Sequence, residues 1–235
     1  MTAIFKRDFR AYMNGVVGPA VIALILLAAG ALVAVVNILL GSTHVEYAFN
    51  YLQFALIVAA PVLAMRAFAD EKRYRVDRLL YSLPIKLSSV VLGKYFAMLA
   101  VFGIACGVLA LYPIALRTQG MAEPAVAYTS LLAFFLLGAA LLSFCLFWTS
   151  LTEHQVVSVL VCIGAVALLF LPDVLVAFAP VSGGLARLLT SVSIFSRYSS
   201  VCSGVFELET VVFDVSFAAL FLFLTVQVME RKRRR

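Results

Sequence analysis

Charged residues divide the chain into long apolar stretches. Five stretches contain no Asp, Glu, Lys or Arg, and a sixth contains only Asp214. Each is close to or longer than the roughly 20 residues that cross the hydrocarbon core of a bilayer as a helix. The pattern predicts an all-α integral membrane protein with six transmembrane helices, in a single domain over residues 1–235. The predicted spans cover residues 15–40, 49–68, 89–115, 125–149, 155–172 and 210–229, each to within a few residues.

The first 14 residues combine basic and apolar positions at helical spacing. Ile4, Phe5, Phe9 and Tyr12 fall near one face, and the basic residues lie elsewhere. Residues 1–14 are therefore predicted to form an interfacial helix in the lipid headgroup layer, with a frayed basic terminus as the alternative. The apolar run that follows is much longer than that of a secretion signal, so we expect the segment to stay attached.

The distribution of Lys and Arg predicts the orientation of the spans. Of the 18 Lys and Arg residues, all except Arg117, Arg187 and Arg197 fall on the side of the membrane that holds the N-terminus. Because basic residues accumulate in cytoplasmic loops, both termini are predicted to be cytosolic. The net charge of +6 is then explained by topology and anionic lipid headgroups of the bilayer, and no nucleic-acid partner is expected.

Sequence motifs for catalysis or metal binding are not recognisable. Gly93 and Lys94 are followed by Tyr95, where a phosphate-binding loop has Ser or Thr. His44 and His154 fall on opposite sides of the membrane in the predicted topology, and the cysteines show no metal-binding spacing. We therefore expect that the chain is not an enzyme and binds no cofactor or metal itself.

The most highly charged part of the chain contains an amphipathic pattern. Between Glu71 and Leu83, apolar residues recur at positions i, i+3, i+4 and i+7, and charged residues cover the rest. Pro84 is expected to end this helix, because proline lacks a backbone donor. The pattern predicts a short cytosolic helix over residues 71–83 that docks a soluble partner. The alternative is a solvated loop whose cations only fix the topology.

The same segment, "DEKRYRVDRLLYSLPIKLSSVVLGKYFA", resembles the hallmark segment of type-2 ABC exporter permeases. "FKRDFRAYMN" near the N-terminus is similar to the membrane-surface helix of that family, and the region from Phe195 onward is similar to its outer loop, last span and basic tail. Within the family, the chain resembles permeases of the gliding-motility and nitrous-oxide-reductase-maturation type. Arg75 and Val76 stand where a Gly-Thr pair is usual. The matching residues are Glu71, Leu79, Leu80, Pro84, Gly93 and Lys94.

The resemblance implies half of an exporter in a bacterial inner membrane. The other half would be a second permease subunit, either a copy of this chain or a homologous protein, which can carry a large extracytoplasmic domain. Two cytosolic ABC ATPase subunits would bind ATP and Mg and drive transport through the helix 71–83, which would act as a coupling helix. Its predicted ATPase-contacting residues are Glu71, Arg75, Val76, Arg78, Leu79, Leu80 and Leu83.

The segment between the fifth and sixth spans is predicted to lie at the outer surface. Pro172 is expected to end the fifth span, and two short re-entrant helices are expected within residues 173–209. Asp173 is either a substrate contact or a helix N-cap, and Asp214 suits the start of the sixth span. The resemblance implies an outer gate in this loop. Its predicted residues are Asp173, Arg197, Tyr198 and Glu207.

Two other functions are compatible with six spans. An ion-coupled secondary carrier usually has ionisable groups or broken helices at the middle of the membrane, and this chain has no such group except Asp214. A non-transporting membrane scaffold is the second alternative. Stimulation of ATP hydrolysis in a reconstituted complex distinguishes a transporter from a scaffold.

Overall fold

The computed structural model describes residues 2–39, 41, 44, 46–73, 87–117, 124–152, 154–178, 193–204 and 208–233. Every regular element in these ranges is helical. The helices are α1 (Thr2–Asn14), α2 (Val17–Val33, continued by a π-helical turn over Ala34–Leu39), α3 (Glu46–Arg73), α4 (Leu87–Leu109), α5 (Leu111–Arg117), α6 (Pro124–Leu151), α7 (Gln155–Phe178), α8 (Ile194–Cys202) and α9 (Leu208–Arg233).

The described helices contain six segments that are long and apolar enough to cross a membrane. Five of these segments are formed by α2, α3, α6, α7 and α9, and the remaining one is formed by α4 together with the start of α5. The predicted all-α fold with six spans is therefore confirmed. The third span is interrupted at Ala110, between α4 and α5. Pro113 explains the interruption, because it has no N–H to donate to the carbonyl of Leu109.

The prediction that the fifth span ends at Pro172 is wrong. Helix α7 contains Pro172 and continues to Phe178. Proline removes one backbone hydrogen bond, whereas ending the helix inside a bilayer would leave several backbone groups without partners. The apolar residues after Pro172 therefore stay helical. The segment that was predicted to lie at the outer surface therefore begins after α7, and α8 is the helix that the structure describes within it.

Helix α1 has the amphipathic character predicted for residues 1–14. The rings of Phe5 and Phe9 stack with their centroids 5.8 Å apart, and both pack against the hydrophobic core. Lys6 and Arg10 are exposed on the other side of the helix. Such a helix buries one face on the protein and exposes Lys6 and Arg10 towards the predicted headgroup layer; its location in that layer remains a prediction.

Helix α6 lies at the centre of the bundle. Its span is 72% buried, whereas the spans of α7 and α9 are 17% buried each. Spans that follow one another in the chain run in opposite directions. The bundle therefore has an α1 end, where α3 ends and α4 begins, and an α8 end, where α3, α6 and α9 begin. The exposed apolar faces of α7 and α9 are the surfaces left for lipid or a partner subunit.

Close packing between α4 and α6 depends on Gly138. A Cβ atom at this position would overlap the ring of Phe102, which is itself buried in the core. We expect Gly138→Ala to lower the free energy of unfolding by about 1–3 kcal/mol, because the added Cβ atom would force the buried ring to shift. Denaturation of the purified protein in detergent measures this change.

Gly164→Ala is the matched control for Gly138→Ala. Nothing lies within 4 Å of a Cβ atom built on Gly164, so this substitution is expected to leave stability unchanged or to raise it by up to about 1 kcal/mol through helix propensity. Equal stability of the two variants would contradict the packing described here.

Candidate functional site

A buried lysine connects three helices at the α1 end. Lys94 lies two turns inside α4 and is only 3% exposed. Its Nζ donates a hydrogen bond to the backbone carbonyl of Ala67 in α3 at 2.7 Å and is 3.4 Å from Oδ2 of Asp8 in α1. Nζ also lies 5.4 Å from the ring centroid of Phe68. These contacts satisfy an ammonium group that would be very costly to bury alone. We call Asp8, Ala67, Phe68 and Lys94 the lysine junction.

A second set of contacts joins α1 to α3 beside the lysine junction. The hydroxyl of Tyr12 donates to the carbonyl of Leu63 at 3.1 Å, and both residues are buried. The guanidinium of Arg66 lies 5.9 Å from the ring centroid of Tyr12, within the range of a cation–π contact. Gly18 allows the chain to turn tightly between α1 and α2, because a Cβ atom there would overlap the backbone of Tyr12. Helix α1 is thus fixed to α3 at two points.

The lysine junction flanks the predicted coupling helix. Glu71 belongs to the last turns of α3, which continue without a break from the second span. The remaining predicted ATPase-contacting residues, from Arg75 to Leu83, lie outside the described residues. The chain enters that segment from α3 and leaves it into α4, and Lys94 connects these two helices to each other and to α1. A force on the segment would therefore act on all three helices together.

Lys94 was predicted only as part of a motif, and its role as a connector was not predicted. Its partners in the chain are 86 and 27 residues away. One signal was available, because a lysine two turns inside an apolar span must find acceptors within the protein. Asp8, the one acid of the amphipathic N-terminal segment, was the charged candidate.

The α8 end is held by a buried tyrosine. Tyr198 of α8 is 1% exposed, and its hydroxyl donates to the carbonyl of Phe49, in the first turn of α3, at 2.6 Å. Its ring lies 6.4 Å from that of Phe134 in α6. Burial raises the pKa of the Tyr198 phenol well above its usual value, so the hydroxyl stays protonated and remains a donor. The predicted gate residue Tyr198 is thus a structural connection between α8, α3 and α6.

Two other predicted gate residues also connect elements at this end. The guanidinium of Arg197 bonds Glu209 of α9 at 2.9 Å and lies 4.5 Å from the ring centroid of Phe213. Asp173 accepts a hydrogen bond from the hydroxyl of Ser193 at 2.5 Å. Glu207 lies outside the described residues. The three described gate residues therefore meet around α8.

The prediction that Asp173 is a helix N-cap is wrong. Asp173 lies inside α7, and the N-cap of α8 is Ser193, whose side-chain oxygen accepts from the backbone N–H of Ser196. The error follows from the continuation of α7 through Pro172. Asp214, which was expected at the start of the sixth span, is buried about one turn beyond Glu209, and Glu209 lies in the first turn of α9.

The four cysteines are buried and unpaired. Cys202 is the one that lies on α8, outside the membrane spans, and burial raises the pKa of its thiol to about 11. The thiol therefore stays protonated and unreactive at neutral pH. Reactive cysteines can be introduced elsewhere as reporters with little background.

Comparison with known families identifies the chain. The model of the ABC-2 family transporter proteins matches residues 4–201, which include both ends of the bundle described above. The chain belongs to this family, and the resemblance to type-2 permeases is confirmed at that level. A comparison with curated proteins gave no match.

Membership of this family defines the general role of the chain. It is a multi-pass transmembrane subunit of an ABC transporter, and such subunits are permease components that are not themselves catalytic. Transport by such a complex depends on ATPase partner subunits. The lysine junction and the Tyr198 contact are therefore parts of a permease.

We expect Lys94→Met to destabilise the protein by about 1.5–3 kcal/mol, because it removes a charged donor and leaves the Ala67 carbonyl and Asp8 without that partner. Lys6→Met, at an exposed position of α1, is the matched control and should change stability by less than about 0.5 kcal/mol. Denaturation in detergent compares the two. If Lys94→Met were as stable as Lys6→Met, the lysine junction would not hold the helices together.

Tyr198→Phe tests the contact at the α8 end. Loss of the hydroxyl removes a buried donor to the Phe49 carbonyl and should cost about 1–3 kcal/mol. Tyr128→Phe is the control, because the Tyr128 hydroxyl also bonds a backbone carbonyl, that of Ala110, but at an exposed position. This control should change stability by less than about 0.5 kcal/mol. Equal effects in thermal unfolding would refute the special role of Tyr198.

Proposed function

We propose that this chain forms half of the substrate pathway of an ABC exporter of the gliding-motility or nitrous-oxide-reductase-maturation type. The other half is a second copy or a homologous membrane subunit, which can carry an extracytoplasmic domain. Two separate cytosolic ATPases bind ATP and Mg and contact the segment 71–83. The observation that carries this proposal is the lysine junction, which joins both helices that hold this segment.

The orientation of the chain is supported by its cations. At the α8 end, Arg197 is already paired with Glu209. Basic residues are concentrated at the α1 end, which favours a cytosolic location for that end and for both termini in a bacterial inner membrane. The described members of this group are Lys6, Arg7, Arg10, Arg66, Lys72, Arg73, Lys94, Arg231, Lys232 and Arg233.

Helix α3 supplies a route from the ATPase to the outer side. Its 28 residues make a helix about 42 Å long, enough to cross the membrane. Lys94 donates a hydrogen bond to the α3 carbonyl of Ala67, and Tyr198 donates one to the α3 carbonyl of Phe49. In our proposal, closure of the ATPases displaces the segment 71–83, the three helices of the lysine junction move together, and α3 transmits the movement to α8. The outer gate then consists of α8 with Asp173, Arg197, Tyr198 and Glu207.

Charge reversal in the segment 71–83 tests the ATPase contact. Arg75→Glu with Arg78→Glu should leave membrane insertion intact, because the other cations of the α1 end remain. Retention of the ATPase in pull-down from detergent extracts should fall, because these side chains are expected to face the partner. Lys6→Glu with Arg10→Glu is the control, with the same change of charge at the same membrane side, and should retain the ATPase.

Normal ATPase retention and normal transport by the Arg75→Glu, Arg78→Glu protein would mean that the segment only anchors the topology. Weaker retention by the Lys6→Glu, Arg10→Glu control would show a general effect of charge instead of a specific contact. Only selective loss with the first pair agrees with the proposal.

Single introduced cysteines test the proposed topology. The native cysteines are buried, so labelling reports mainly on the new positions. A membrane-impermeant maleimide added from outside should label cysteines placed at 44 and 120, and should not label those at 75 and 233. Labelling at 75 or 233 from outside would contradict the proposed orientation.

A further inference from the structure

A cavity between α4, α6 and α9 is not used by the coupling route. It has a volume of about 220 Å³. Most of its lining is aliphatic and includes Leu136 of α6 and Val215 and Leu222 of α9. For comparison, an engineered apolar cavity of roughly 150 Å³ already binds benzene. The cavity is therefore large enough for part of a small organic molecule.

One carboxylate lies in this apolar lining. Asp214 is 3% exposed, and its Oδ1 accepts no hydrogen bond from the residues that the structure describes. The hydroxyl of Tyr95, which also lines the cavity, is bonded to the carbonyl of Ala139 at 3.2 Å. Arg197 acts on Asp214 electrostatically, but its guanidinium bonds Glu209 and lies over Phe213. Asp214 thus has acceptor capacity that these neighbours leave unused.

We propose that this cavity binds the head of a cationic amphiphile, a primary ammonium carried on an aliphatic chain. A buried carboxylate is costly without a donor, and an ammonium supplies both the opposite charge and three N–H donors. The aliphatic wall from Val215 to Leu222 accommodates the carbon chain, as in ligand sites where apolar lining surrounds a few polar groups. Asp214 is the residue that selects the ammonium head.

Two sources can supply this chemistry, a free alkylamine and the ethanolamine headgroup of a phospholipid. The spans of α7 and α9 are mostly unburied, so the cavity beside α9 is accessible from the surrounding lipid. The site is separate from the lysine junction, and its existence does not depend on the direction of transport.

Photolabelling of the full chain tests the site. The chain is placed in phosphatidylcholine nanodiscs, and three alkyl diazirine probes are compared. The probes differ only in the head group, which is an ammonium, a hydroxyl or a carboxylate. We expect the ammonium probe to label residues 215–222 several-fold more than the other two, as measured by peptide mass spectrometry. Asp214→Asn should abolish this preference. Glu230→Gln, which removes an exposed carboxylate of α9 away from Arg197, should keep it.

Ala219→Leu adds volume at the cavity lining and should reduce labelling by all three probes, which provides a test that does not depend on the folding of Asp214→Asn.

Replacing phosphatidylcholine by phosphatidylethanolamine distinguishes the sources. Competition by this lipid identifies a headgroup site, and unchanged labelling identifies a site for free amines. Equal labelling by the three heads, or a preference for ammonium that persists in Asp214→Asn, would overturn the proposal.

Discussion

The ammonium group of Lys94 needs acceptors inside the protein, and this requirement organises the α1 end of the bundle. Lys94 is only 3% exposed, so its ammonium group is costly to bury unless the Ala67 carbonyl of α3 and the Asp8 carboxylate of α1 approach it. The three helices must therefore keep their relative positions. A hydrophobic residue at position 94 would pack there without fixing the relative positions of the helices. Hydrogen bonds are directional and therefore specify how α1, α3 and α4 are placed. The same constraint joins the two ends of the segment that is proposed to meet the ATPase.

Helix α3 is held at its other end by the same kind of contact. Tyr198 donates to a backbone carbonyl in the first turn of α3, as Lys94 does near its last turns. Between these points α3 packs on the central helix α6, which is buried along most of its length. A continuous helix held at both ends transmits displacement better than a helix held at one, which accounts for the role proposed for α3. The exposed faces of α7 and α9 are available to lipid and to the proposed second subunit.

The sequence predicted the membrane spans well, because the bilayer demands about 20 apolar residues per span and charges interrupt every loop. The sequence-based prediction was wrong at Pro172. Proline usually ends a helix in a water-soluble protein, but within a bilayer the unpaired backbone groups favour continuation of α7. It also missed the partners of Lys94 and Tyr198. These contacts join residues 86 and 149 positions apart, and only the packing of the helices brings them together. The family resemblance pointed to the right segment and left the connecting residues unidentified.

The claim that α1 and α3 move as one unit is tested most directly by a distance measurement in the assembled transporter. Spin labels at Arg10, exposed on α1, and at Tyr47, exposed at the start of α3, report on the two helices. If the two helices move together, the distance distribution is the same with and without trapped ATP in the native sequence, and it is shifted or broadened in Lys94→Met. A distance in the native sequence that changes when ATP is trapped would contradict the claim, because the lysine junction would then not hold the helices together during the transport cycle.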